Sequence, residues 1–129
     1  MKRIMIVEDS RDMQEIYKDI FSDKAKEYEI ELMANAEAAY ERVLKGGYDL
    51  IILDVIMDSM DGNAFYILLR LQEDKQVKNI PVLVVSVLNP DDLGIFKSSS
   101  NVDFLQKPIT KQQLFGKIEE LSGFPQMLQ

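Results

Sequence analysis

Apolar residues fall in two alternating patterns along the chain. Four short segments read as strands: IMIV at 4–7, IELMA at 30–34, LIIL at 50–53 and VLVV at 82–85, with a weaker fifth, DFL, at 103–105. Three of the four are continuous, as expected of strands buried on both faces, while the second alternates with Glu29 and Glu31 in the manner of a half-exposed edge. Between them the spacing turns helical. Met13, Ile16, Tyr17, Ile20 and Phe21 form one stripe; Ala36, Ala39, Tyr40 and Val43 form another, with Asn35 as N-cap and Gly46 as stop. A third helix turns Phe65, Leu68 and Leu69 inward, and a fourth starts at Pro90 after Asn89. The last opens with Thr110 and Gln113 at capping-box spacing ahead of Leu114, Phe115, Ile118 and Leu121. Strand and helix alternate five times, which predicts an α/β domain: a parallel sheet with helices on both faces, because crossovers between parallel neighbours are nearly always right-handed.

Length and composition narrow what this domain does. The 129 residues suit a single domain, with a core from about residue 2 to 121 and a loose tail over 122–129. Fifteen basic against 22 acidic residues leave a net charge of -7, which argues against direct nucleic-acid binding. With no cysteine there is no disulfide framework or thiolate metal site. With no histidine there is no Ser-His-Asp catalyst and no histidine-ligated zinc, so carboxylates, Lys, Ser and Thr remain for chemistry. The apolar stretch before Glu8 is too short for a signal peptide or a membrane span, which points to the cytoplasm and away from membranes.

In open α/β sheets the functional crevice lies beyond the carboxyl ends of the strands. Strand one ends in Glu8 and Asp9, strand three in Asp54, strand four in Ser86, and strand five leads to Lys107. One polar residue after a strand is ordinarily just the start of a loop. Together they converge on one edge, where carboxylates about 5 Å apart repel by roughly 3 kcal/mol per pair at an effective dielectric near 20. Lys107 offsets one charge, and a divalent cation with oxygen ligands, magnesium by preference, offsets two more. Such a site transfers phosphoryl groups, with Asp54 as nucleophile and with Lys107, the cation and the Ser86 hydroxyl on the phosphoryl oxygens.

Glu8-Asp9 after the first strand, Asp54 followed by Met57 and Met60-Asp61-Gly62, Ser86 after the fourth strand, and Lys107-Pro108 with Phe104 three residues ahead resemble the receiver domain of bacterial response regulators in two-component signalling. The resemblance covers about Lys2 to Leu121. It implies a flavodoxin-like (βα)5 fold with strand order 2-1-3-4-5 and phosphorylation of Asp54 by a histidine kinase or histidine phosphotransfer protein. It also implies magnesium held by Asp9, Asp54 and the Ile56 carbonyl, with Glu8 acting through water. Catalysis is then confined to the domain's own modification, and the missing histidine fits, since the phosphohistidine donor lies on another protein. A switch is implied too: Ser86 moves toward the phosphoryl group, Phe104 turns into the vacated space, and the face of the fourth helix, fifth strand and fifth helix changes toward a downstream protein or a second copy of the chain.

Several positions depart from the family pattern. Asp58 replaces a common Pro, Val87 a small residue that would crowd the phosphoryl group less, and Ser100-Asn101 a common Gly-Ala pair. Ile56 and Leu88, taken to cover Asp54, carry no group to orient an attacking water, so loss of an acyl phosphate is expected to be slow. Competing readings are a degenerate receiver that binds a partner without being phosphorylated, and an aspartate-nucleophile phosphatase of the haloacid-dehalogenase kind. The latter needs a second Asp where this chain has Ile56. A flavin-binding flavodoxin needs Ser, Thr and Gly where the first loop reads EDSRD.

Overall fold

The computed structural model describes residues 1–57, 61–97 and 101–127. Five strands, β1 (Lys2–Val7), β2 (Tyr28–Met33), β3 (Leu50–Leu53), β4 (Val82–Ser86) and β5 (Val102–Gln106), form one parallel sheet in the order β2-β1-β3-β4-β5. Its helices are α1 (Arg11–Phe21), α2 (Ala36–Val43), α3 (Gly62–Arg70), the short α4 (Lys75–Lys78) and α5 (Gly94–Lys97), and α6 (Lys111–Met127). This is the parallel sheet expected from the alternation, with the flavodoxin-like strand order that the resemblance implies.

Successive strand residues point to opposite faces, and the core divides accordingly. Met5, Val7, Ile51, Leu53, Val82 and Val84 face α2 and α3, where Ala36, Ala39, Val43, Phe65, Tyr66 and Leu69 are buried. Ile4, Ile6, Leu50, Ile52, Leu83 and Val85 face α1 and α6, against Tyr17, Ile20, Phe21, Leu114 and Ile118. On that second face Phe21, Tyr28 and Phe115 stack edge-on and face-on, with centroids 5.2 to 5.8 Å apart, tying α1, β2 and α6 together.

The elements differ from the sequence pattern in a few places. Ile16, at the rim of its stripe, is 44% exposed, and on α3 Tyr66 is buried where Leu68 is only half-buried. The fourth helix is broken: Asn89 caps a 3-10 turn over Pro90–Asp92, Leu93 leaves helical geometry at φ -106 and ψ 52, and only α5 follows. Leu93 and Phe96 are nonetheless buried, so this segment covers the sheet without being one continuous helix. The end expected to be loose from residue 122 has a helical backbone through Met127.

Candidate phosphoacceptor and metal site

Parallel pairing brings the ends of β1, β3 and β4 level and sets the polar residues that follow them side by side. Glu8 continues the β1 ladder, donating its N–H to the Met33 carbonyl at 2.9 Å, and the Asp54 N–H bonds the Val7 carbonyl at 3.1 Å. The first loop is held by its own polar groups. Ser10 caps α1 by accepting the Met13 N–H at 3.3 Å, its own N–H reaches Glu8 Oε2 at 3.1 Å, and Gln14 Nε2 donates to the Glu8 carbonyl at 2.7 Å.

Glu8 is 1% exposed and Asp54 7%, and Lys107 Nζ lies between them, 2.8 Å from Glu8 Oε1 and 3.1 Å from Asp54 Oδ2. Asp54 Oδ1 accepts the Ile56 N–H at 3.1 Å. Glu8, Asp9 and Asp54 each bring a carboxylate oxygen within 4.8 Å of the other two. Burial, outweighing the hydrogen bonds from Lys107 and the Ser10 amide, lifts the Glu8 carboxyl above its usual 4.5. Burial pulls Lys107 down, but its hydrogen bonds to Glu8 and Asp54 and their charges more than offset this, so it titrates above 10.5. Burial and the charges of Glu8 and Asp54 push the Tyr17 hydroxyl well up. The three carboxylates lie together, and the Lys107 ammonium is shared between Glu8 and Asp54. The donor set is hard oxygen, of the kind that suits a divalent cation of the magnesium type.

Ser86 closes β4 at this edge. Ser86 is 1% exposed; its carbonyl accepts the Lys107 N–H at 2.8 Å, and its Oγ accepts the Leu88 N–H at 3.2 Å. Phe104 is half-buried against the first core cluster, its ring edge-to-face with Phe96 at 6.4 Å. Val87 turns its side chain to solvent, 60% exposed, and Ile56 is 51% exposed, whereas Leu88 packs against the core. Asp58 and Ser100 lie outside the described residues. Asp61 caps α3, accepting the Ala64 N–H at 2.8 Å. Sequence reasoning placed Tyr17 only in an apolar stripe and gave Gly62 no part of its own, though its place beside Asp61 was a signal.

A model of the response regulator receiver domain matches residues 4–119. Response regulator PleD of Caulobacter vibrioides is 31% identical over 102 residues, which cover 78% of this chain and only 22% of PleD. Among solved structures, chemotaxis protein CheY4 of Vibrio cholerae superposes with a TM-score of 0.81 at 26% identity, covering 94% of this chain and 98% of CheY4. The receiver domain of sensor histidine kinase PA1611 of Pseudomonas aeruginosa, solved with a magnesium ion coordinated in its active-site cleft, has the same fold with a TM-score of 0.81 at 22% identity, over 95% of this chain and 98% of that one.

Proposed function

Given that this chain belongs to the response regulator receiver domain family, we propose that it accepts a phosphoryl group on Asp54 from a phosphohistidine on a histidine kinase or phosphotransfer protein. The observation that carries this reading is the buried Asp54 carboxylate, bonded to Lys107 at 3.1 Å and sharing a pocket of oxygens with Glu8 and Asp9. In the transfer, an Asp54 oxygen forms the new O–P bond as the donor's P–N bond breaks, and the bonding pair leaves with the imidazole. Lys107, already beside the nucleophile, neutralises a phosphoryl oxygen as charge shifts. Ser86 has a hydroxyl proton to donate to another while its oxygen still accepts from Leu88. Asp9, Asp54 and the Ile56 carbonyl would hold magnesium directly, and Glu8 through water. The ion supplies a second positive centre for the phosphoryl oxygens.

The chain's own part in catalysis is confined to this modification. Its downstream partner reads the face made by the Pro90–Lys97 segment, β5 and α6, and the same face is available to a second copy of the chain. No described helix is long and apolar enough to cross a membrane, and the proposed compartment is the cytoplasm, where kinase and phosphoryl donor reside. Incubation with acetyl phosphate or phosphoramidate and magnesium, followed by intact mass, is expected to add one phosphoryl group. Asp54→Asn should lack the adduct. An unmodified wild-type chain would favour the degenerate, binding-only reading.

A further inference from the structure

α3 begins where the chain returns from the phosphoacceptor loop, and its first residue has almost no room. A Cβ built on Gly62 would lie 2.4 Å from the Val55 Cα, 2.8 Å from the Asp54 carbonyl oxygen and 3.0 Å from Val55 Cγ1. Carbon atoms that are not bonded do not approach so closely, and two of the three obstacles are backbone, which no side-chain rotation can clear. The Gly62 N–H also donates to the Val55 carbonyl at 3.2 Å, so helix and loop are joined at this point. Val55 stands between the two residues whose placement the site most depends on. Asp54 precedes it with the carboxylate and Ile56 follows it, its N–H holding Asp54 Oδ1 at 3.1 Å. The Asp61 cap on Ala64 fixes the first turn of α3 in this seat.

We propose that Gly62 is a positioning residue for metal binding: the missing side chain lets the first turn of α3 rest on the Asp54–Val55 backbone and thereby sets the Asp54 carboxylate and the Ile56 carbonyl for a divalent cation. The proposal rests on the reading of Asp54 as phosphoacceptor and ligand. Any side chain at 62 must push the Asp54–Ile56 segment away from α3, displacing both oxygen donors together. Because neither donor is itself altered, the loss falls on geometry and not on charge.

The test is calorimetric titration of magnesium chloride into the full chain and its variants, with backbone amide shifts of Val55 and Ile56 recorded in metal-free samples. Gly62→Ala should weaken magnesium about tenfold or more, in the range of losses seen when groups supporting metal ligands are changed, and should move both amide signals before metal is added. Gly46→Ala is the control. Gly46 has φ +79 and open space around a new Cβ, and it lies at the opposite edge of the sheet, so its substitution strains the backbone and leaves magnesium affinity unchanged. Val55→Ala in the Gly62→Ala chain removes one obstacle of three and should not restore affinity; restoration would reduce the effect to side-chain packing and overturn the proposal. Should Gly62→Ala fail to fold, Asp61→Ala loosens the same seat from an exposed position. It should weaken magnesium severalfold, while Asp61→Ser, which keeps a cap and lacks the charge, should bind as the unchanged chain does. Equal binding by folded Gly62→Ala, or by Asp61→Ala, overturns the positioning role alone. If the unchanged chain takes up no magnesium, the site reading falls and this inference with it.

Discussion

Glu8 shows most clearly how a single side chain can serve the site at the expense of the fold. It is almost fully buried, shares one ammonium with Asp54, and its carboxyl is lifted above 4.5 chiefly by burial. A carboxyl whose folded-state value is raised stabilises the fold fully below pH 4.5, where it is protonated folded or unfolded, and that contribution is lost as the pH rises through the raised value. In metal-free protein, the urea midpoint of the unchanged chain relative to Glu8→Gln is therefore expected to fall between pH 4.5 and neutrality. A difference that stays flat or rises would mean that Lys107 compensates Glu8 completely. The residue types at the site were legible in the sequence because each ends a strand. That Lys107 bonds Glu8 more closely than Asp54 was not, since it depends on where the loop after β5 delivers the side chain.

At the scale of elements, Leu93 and Phe96 join the broken fourth crossover to the core, and Phe96 does so through its ring. Its ring contacts Tyr66 of α3 at 4.6 Å and Phe104 of β5 at 6.4 Å. Phe104 packs half-buried against the core, in contact with the segment proposed as part of the output face. Without a hydroxyl to leave in water, Phe favours this inward position more than Tyr would, and an unpartnered buried hydroxyl costs about 1–3 kcal/mol. Phe104→Tyr should lower the inward fraction in the absence of phosphate, read from aromatic ring NMR shifts; an unchanged fraction would contradict this. Periodicity gave most of the inward faces of α1 to α3, missing Tyr66 and overrating Ile16 and Leu68. It misjudged the fourth helix, because Pro90 and the Asn89 cap promise a helix start without saying how far the helix runs.

For the whole molecule, an ion held at the oxygen cluster of Glu8, Asp9 and Asp54 would link folding to metal binding. An ion that binds only the folded chain stabilises it by about 2.7 kcal/mol at a hundred times its dissociation constant. Magnesium should raise the urea midpoint accordingly, sodium chloride at matched ionic strength should not, and Asp9→Asn should lose most of the gain. No magnesium-specific gain would remove the metal from the site. The net charge of -7 adds general repulsion, which a bound cation would also reduce.

The order of strands and helices, the two-faced core and the set of polar residues at the strand ends were determined by the sequence alone, because the period of apolar positions and the side of a strand on which a residue falls are local properties. Strand order 2-1-3-4-5 was implied by the resemblance to receiver domains that the ordered set of motifs carries. Only the tertiary structure decided the rest: the partition of one ammonium between two buried carboxylates, the burial that raises Glu8, and the contact that forbids a side chain at Gly62. Each depends on distances between segments far apart in sequence, which no local pattern encodes.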